Sequence, residues 1–356
     1  HFILMLKPLF LGLAMTTLVA ACTEDYTDWA KPQSHPQGEA KTITAVVDSV
    51  QAIDLNVLGE QAVGAKVAVL QSTVTGAPRT AFSYQITLTP AEGLSGDQKA
   101  TTIVADSLGK VAVAELQDAV LAYYGKAPRQ RQLNAKVVSL ANVNDESYRF
   151  ESETAVRFTP AAPIYSETMD VKEGGTTVAS LITKEFDGYY EGFAQIAAPF
   201  TLEYGKKKQQ TALNANSFLL LNGNFAADAQ QNITAPAAGL YWLRADIKTE
   251  DEYKLTPTAI TRVAVVGSLN NWANNGKTDT PMTYNATEDC YEVTTEFDGG
   301  EFKFRFNAAW DIDLGGTLNN LTFKGANLKA DKGTYLVRLY LNQQNGKPMR
   351  ATMTAR

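Results

Sequence analysis

The stretch "EFKFRFN", Glu301 to Asn307, alternates large apolar and polar residues with a period of two. Successive side chains on a strand point to opposite faces, so Phe302, Phe304 and Phe306 fall on one side and Lys303, Arg305 and Asn307 on the other. The phenylalanines belong to a core. The opposite face carries a row of hydrogen-bond donors, and Trp310 follows in the loop just beyond.

This strand belongs to an internal repeat, which takes precedence over local readings. "YYEGFAQIAAPFTLEYG" from Tyr189 aligns with "CYEVTTEFDGGEFKFRFN" from Cys290 with one gap. "NITAPAAGLYWLRADI" from Asn232 aligns with "NLKADKGTYLVRLYL" from Asn327, again with one gap. The shared skeleton is Asn232, Gly239, Tyr241 and Arg244 in one copy and Asn327, Gly333, Tyr335 and Arg338 in the other. The copies lie roughly a hundred residues apart, the size of one sandwich domain. Residues 161–260 and 261–356 are therefore read as two copies of one fold, with "TPAAP" and "LTPTAI" at their boundaries.

Residues 41–160 form a separate strand-rich region. Lys66 to Gln71, Phe82 to Leu88 and Gln132 to Leu140 read as strands, as does Arg262 to Val266 at the start of the last copy. One helix is predicted over Ala114 to Tyr124, stopped by Gly125 with Pro128 soon after. The fold class is mainly β, built from tandem β-sandwich domains.

Ahead of these domains, Lys7 and the apolar run Pro8 to Ala21 have the proportions of a secretory signal, and residues 1–21 are assigned to it. The run is too short to cross a bilayer, which takes about twenty apolar residues. Val19-Ala20-Ala21-Cys22 is a lipoprotein signature, so Cys22 is expected to be acylated and to become the new N-terminus. Residues 22–40, with Pro32, Pro36 and Gly38, read as a flexible stalk. Acylation of Cys22 leaves Cys290 alone, which fits a buried hydrophobe rather than a disulfide.

Composition excludes several functions. A net charge of −6 argues against nucleic acid as a partner. The two histidines are His1 and His35, in the leader and the stalk. The folded part can therefore assemble neither a Ser-His-Asp or Cys-His machine nor a histidine-ligated zinc, and no cofactor or metal is expected. Asp311 and Asp313 have a short spacing that is only a weak calcium signal. Carboxylate-based glycosidase chemistry survives, with Glu301 and Asp311 as its best pair.

The lipoprotein signature with Glu24 and Asp25 behind it, the strand-rich first domain with a late helix, and the segments "VVGSLNNW", "GEFKFRFNAAWDIDLGG" and "ANLKADKGTYLVRLYL" resemble the SusE/SusF family of surface lipoproteins. The resemblance implies an immunoglobulin-like N-terminal domain followed by two carbohydrate-binding-module-like sandwiches, and no enzymatic activity. It also implies export to the outer membrane, a polysaccharide or oligosaccharide ligand such as starch-like α-glucan, and a TonB-dependent transporter with companion surface lipoproteins as partners.

The residues support such a ligand on physical grounds. A pyranose ring has an apolar face that stacks on a flat aromatic and hydroxyls that must recover hydrogen bonds lost to water. Trp272, among Asn270, Asn271, Asn274 and Asn275, and Trp310 sit in loops of the last copy. With Lys303, Arg305 and Asn307 they form the candidate glycan site. The competing reading makes the two indoles caps on the open end of a sandwich, the two cations solvated charges, and Asn319 and Asn320 turn formers.

The middle copy departs from the pattern. It offers Thr201 and Glu203 in place of Lys303 and Arg305, it has no loop tryptophan, and Trp242 lies inside a strand. It is therefore read as a spacer, and segment 261–356 alone is expected to retain most of the affinity. The favoured function is non-catalytic glycan capture; a structural or adhesion lipoprotein with protein partners is the alternative, and a glycoside hydrolase the less favoured one.

Overall fold

A computed structural model describes residues 42–59, 62 and 64–356, and the leader, Cys22 and the stalk lie outside them. The described chain is mainly β, with several multi-stranded antiparallel sheets and one helix of three turns. No described helix is long and apolar enough to cross a membrane.

The first core gathers buried residues between Ile43 and Phe158. Its main sheet has five strands, led by the hairpin Arg131–Val143 and Glu146–Thr159. Asn144 and Asp145 both take positive φ, 51° and 65°, which suits the two-residue turn that a right-twisted hairpin needs. The helix Val113–Tyr124 covers this core with Val113, Leu116, Ala119 and Val120 and stops at Gly125. The predicted strand Lys66 to Gln71 is two strands, Lys66–Ala68 and Leu70–Thr75, which pair with different partners. The break falls at Val69, where the amides of Val69 and Leu70 both donate to the Gly109 carbonyl. Gly109 has φ +72°, and a Cβ there would lie 2.3 Å from the Leu70 carbonyl oxygen, so no other residue fits.

The two repeat copies share a pairing scheme. In the last one, Val263–Gly267 pairs with Glu301–Phe306, which pairs with Ala309–Thr317; a second sheet is built on Cys290–Phe297 and Gly333–Tyr340. In the middle one, Tyr165–Glu173, Phe200–Lys206 and Gln209–Leu213 take the first three places, and Tyr189–Ile196 with Gly239–Asp246 the last two. Phe302, Phe304 and Phe306 are each 0% exposed, as the alternation requires. Cys290 is a buried free thiol.

The copies differ in what the outer face of the second sheet does. On the middle one, the cross-strand neighbours Phe193 and Trp242 project away from the local core and meet the last module. Phe193 stacks on Phe306 with centroids 4.8 Å apart, and Trp242 lies 5.4 Å from Phe323. The corresponding pair in the last copy is Thr294 and Leu336. Side-chain amides close the seam: Asn342 donates to the Val178 carbonyl at 2.9 Å and Gln344 to the Thr177 carbonyl at 2.9 Å.

One consequence bears on the expectation for segment 261–356. Phe193, Leu240 and Ile260 belong to the same buried cluster as Phe306 and Leu314, so cutting at residue 260 would expose part of the last module's core. Phe193→Ala leaves a cavity at this seam and is expected to cost about 3–5 kcal/mol. Calorimetry should show one joint transition for residues 161–356 in the parent chain and separated transitions in the variant.

Candidate functional site

On the outer face of Glu301–Phe306 both cations are already paired with acids. Arg305 is only 6% exposed and Asp279 3%. Arg305 Nε donates to Asp279 Oδ2 at 2.9 Å while Nη2 donates to Oδ1, a two-point pairing that fixes the guanidinium plane. That plane lies over the Trp310 indole with its carbon 4.5 Å from the ring centroid. Lys303 Nζ donates to Asp313 Oδ1 at 2.5 Å and Lys324 Nζ to Asp313 Oδ2 at 2.7 Å. Lys324 also donates to the Trp310 carbonyl, which clamps the start of Ala309–Thr317 to this face.

Trp272 arrives from the other side. Its loop leaves Val263–Gly267 through Gly267, where a Cβ would lie 2.3 Å from the Glu301 carbonyl oxygen, so only glycine lets the two strands approach. Asn270 is buried and ties the loop down: its Oδ1 accepts from the Gly267 amide at 2.9 Å, and its Nδ2 donates to the Val265 carbonyl at 3.0 Å. Asn271, Trp272 and Ala273 then take positive φ of 51°, 54° and 57° in succession. Left-handed backbone at three consecutive non-glycine residues is costly, and it persists where the surroundings hold it, commonly at binding sites.

The two indoles meet as a result. Their centroids are 6.1 Å apart and their planes inclined by 38°. Trp310 is 44% exposed and Trp272 is half-buried. The pair forms a bent aromatic ledge with Arg305 beside it. Arg305 Nη1 makes no hydrogen bond to the described residues, so it remains available as a donor next to the Trp310 ring.

The structure therefore brings together Trp272, Trp310 and Arg305, with Lys303 one layer below, held by Asp313. Asn307 is not with them. The strand ends at Phe306, and Asn307 and Ala308, both at φ 53°, form the turn to Ala309. The Asn307 amide is committed to the connector between the copies: Nδ2 donates to the Ala259 carbonyl at 2.8 Å, and Oδ1 accepts from the Thr261 and Arg262 amides at 2.8 and 3.3 Å. Strict alternation placed Asn307 on the donor face because it carried the period one residue past the strand.

Asp279, Asn270 and Lys324 were absent from the sequence-derived site. Nothing local marks Asp279 in "KTDTP"; the signal that could have found it is that an arginine on a face too crowded for water needs an acid nearby. Among the described residues, no cluster of His, Cys, Asp and Glu could hold a metal ion.

The same place in the middle copy is closed. Lys172 pairs with Glu203 at 2.8 Å, and Ser180 donates to Asp170 at 2.7 Å. The chain turns at Gly174 and Gly175 directly into the next strand, so no loop forms there to carry an aromatic.

Sheets stacked in tandem, with an aromatic ledge in a loop-rich end of the last sandwich, define a class of multi-domain β-sandwich proteins. Residues 22–160 match the family model described as outer membrane protein SusF, N-terminal domain. The first part of the chain is thus similar to that domain of outer membrane proteins, in line with the SusE/SusF resemblance of its sequence. No curated protein matches it.

Two outcomes follow from the charge network. Asp279→Ala leaves a buried guanidinium without its partner and is expected to destabilise the chain by about 3–5 kcal/mol. Denaturant titration followed by tryptophan fluorescence measures this, since Trp310 loses its fixed neighbour. Burial acts to raise the Asp313 carboxyl, but hydrogen bonds and charge from Lys303 and Lys324 outweigh it and hold the group below the ordinary 3.8. A carboxyl depressed in the folded state stabilises that state above its unfolded value, and this is lost as the pH falls through the folded value. Asp313→Asn is therefore expected to lower stability above about pH 4 and to narrow its gap from the parent below that, in thermal unfolding followed across acid pH.

Proposed function

We propose that this protein captures polysaccharide without cleaving it, holding the chain across Trp272 and Trp310 at the surface of an outer membrane. The observation that carries this reading is the ledge itself: two indoles in contact, inclined by 38°, one of them 44% exposed. Core packing accounts poorly for an indole this exposed, beside a second one held on left-handed backbone. A bent pair suits a ligand that turns along its length, such as a starch-like α-glucan, better than a flat ribbon. Arg305 Nη1 supplies a donor to a hydroxyl, while Lys303 supports the site through Asp313 rather than reaching the sugar.

In this reading the chain divides into an immunoglobulin-like sandwich at 41–160, a middle module at 161–260 that serves as a scaffold, and a binding module at 261–356. Acylated Cys22 anchors it, and a TonB-dependent transporter with companion lipoproteins receives the captured glycan. Tethering many copies on one surface compensates for weak binding at each ledge. The hydrolase alternative finds little support, because Glu301 already accepts a hydrogen bond from Asn327 at 2.8 Å.

Affinity electrophoresis of the mature chain in gels containing soluble starch tests this. Trp310→Ala and Trp272→Ala are each expected to weaken retention about tenfold or more, as loss of a stacked ring should. Unchanged migration of both variants would exclude the ledge as the site, and reducing sugar released by the parent chain would exclude a purely binding role.

A further inference from the structure

Where the middle and last modules meet, the seam opens into a cleft of ≈ 590 Å³. Its floor continues the outer face of Tyr189–Ile196 past Phe193, with Tyr189 and Glu191, and Lys184 stands at its edge. Asn320 and Phe323 of the last module and Arg129 of the first domain also line it. Three separate parts of the chain build it. The volume lies within the range of small-ligand sites, about 300–1,000 Å³.

We infer that this cleft is a second saccharide-binding site, shaped for a neutral di- or trisaccharide or the end of a longer chain. Most of its charges are already satisfied. Arg129 pairs with Glu167, Lys248 with Asp187 at 2.5 Å, and Lys126 reaches Glu185 at 3.0 Å. Glu191 and Lys184 have neither an ion pair nor a side-chain hydrogen bond among the described residues. One is a pure acceptor and the other a pure donor, and a sugar hydroxyl satisfies both roles at once.

The rest of the lining agrees. Its side chains carry four acids and three bases, too even a balance to select a strongly charged ligand. Tyr189 and Phe323 add aromatic surface to the lining, the first beside Lys248 and the second against Phe193 and Trp242, and the Asn320 side chain makes no hydrogen bond among the described residues. Burial raises the Glu191 carboxyl above its ordinary value, although Lys184 and Arg244 act to lower it. The cleft and the indole ledge share no residue, so either reading can fail alone.

The test is calorimetric titration of the mature chain and its variants with maltotriose, cellotriose and mannotriose. Trp310→Ala is expected to keep binding at least one of these probes through the cleft. Adding Tyr189→Ala, or Glu191→Ala in case the first disturbs the strand, is expected to weaken that residual binding about tenfold. Circular dichroism and the thermal midpoint, checked against the parent, exclude unfolding as the cause. A Trp310→Ala chain that binds none of the three probes overturns the proposal, and so does residual binding that both cleft variants leave intact. Loss of binding in the cleft variants with no effect of Trp310→Ala supports the cleft and removes the ledge instead.

Discussion

The pairing of Arg305 with Asp279 is the contact on which the aromatic ledge of the last module depends. Three phenylalanines on one face of Glu301–Phe306 commit the strand to a core, and the pleat then puts Lys303 and Arg305 under the loops on the other face. There the loops and strand edges shut out most of the water, and a cation needs an acid. Asp279 and Asp313 meet that need. Because Asp279 holds the guanidinium at two points, Arg305 becomes a flat support against which Trp310 can lie, and Trp310 in turn adjoins Trp272. A neutral residue at position 305 would leave Trp310 without a floor.

The two copies show how one scaffold takes up different work through few changes. Both keep the same strand pairing and the Asn, Gly, Tyr, Arg skeleton. In the last copy the loop after Val263–Gly267 is long and carries an indole, and the outer sheet face is quiet. In the middle copy the loop is a tight glycine turn, and the outer sheet face has gained Phe193 and Trp242. The exposed aromatic pair of one copy and the joining surface of the other have traded places.

Much of this was legible in the sequence. The period of two in "EFKFRFN" set the core face, the repeat set the paired architecture, and Gly125 marked the helix end. What escaped was whatever depends on residues far apart in the chain. The strand from Lys66 breaks because Gly109, forty residues on, pulls two amides to one carbonyl. Asn307 looked like a face residue because periodicity carries no information about where a strand stops. Trp242 looked like ordinary packing, and it does pack, but against Phe323 of another module, which no local pattern could disclose.

The Phe193 seam also limits how such a protein can change over time. Sandwich domains in series are usually interchangeable beads, gained or lost by recombination at the linker between them. Here the boundary near residue 260 runs through a shared aromatic cluster, so a crossover at that point would separate halves that shelter one another. Phe193, Leu240 and Ile260 on one side of that cut and Phe306 and Leu314 on the other keep each other dry, so neither half could be inherited without the other and keep this core closed.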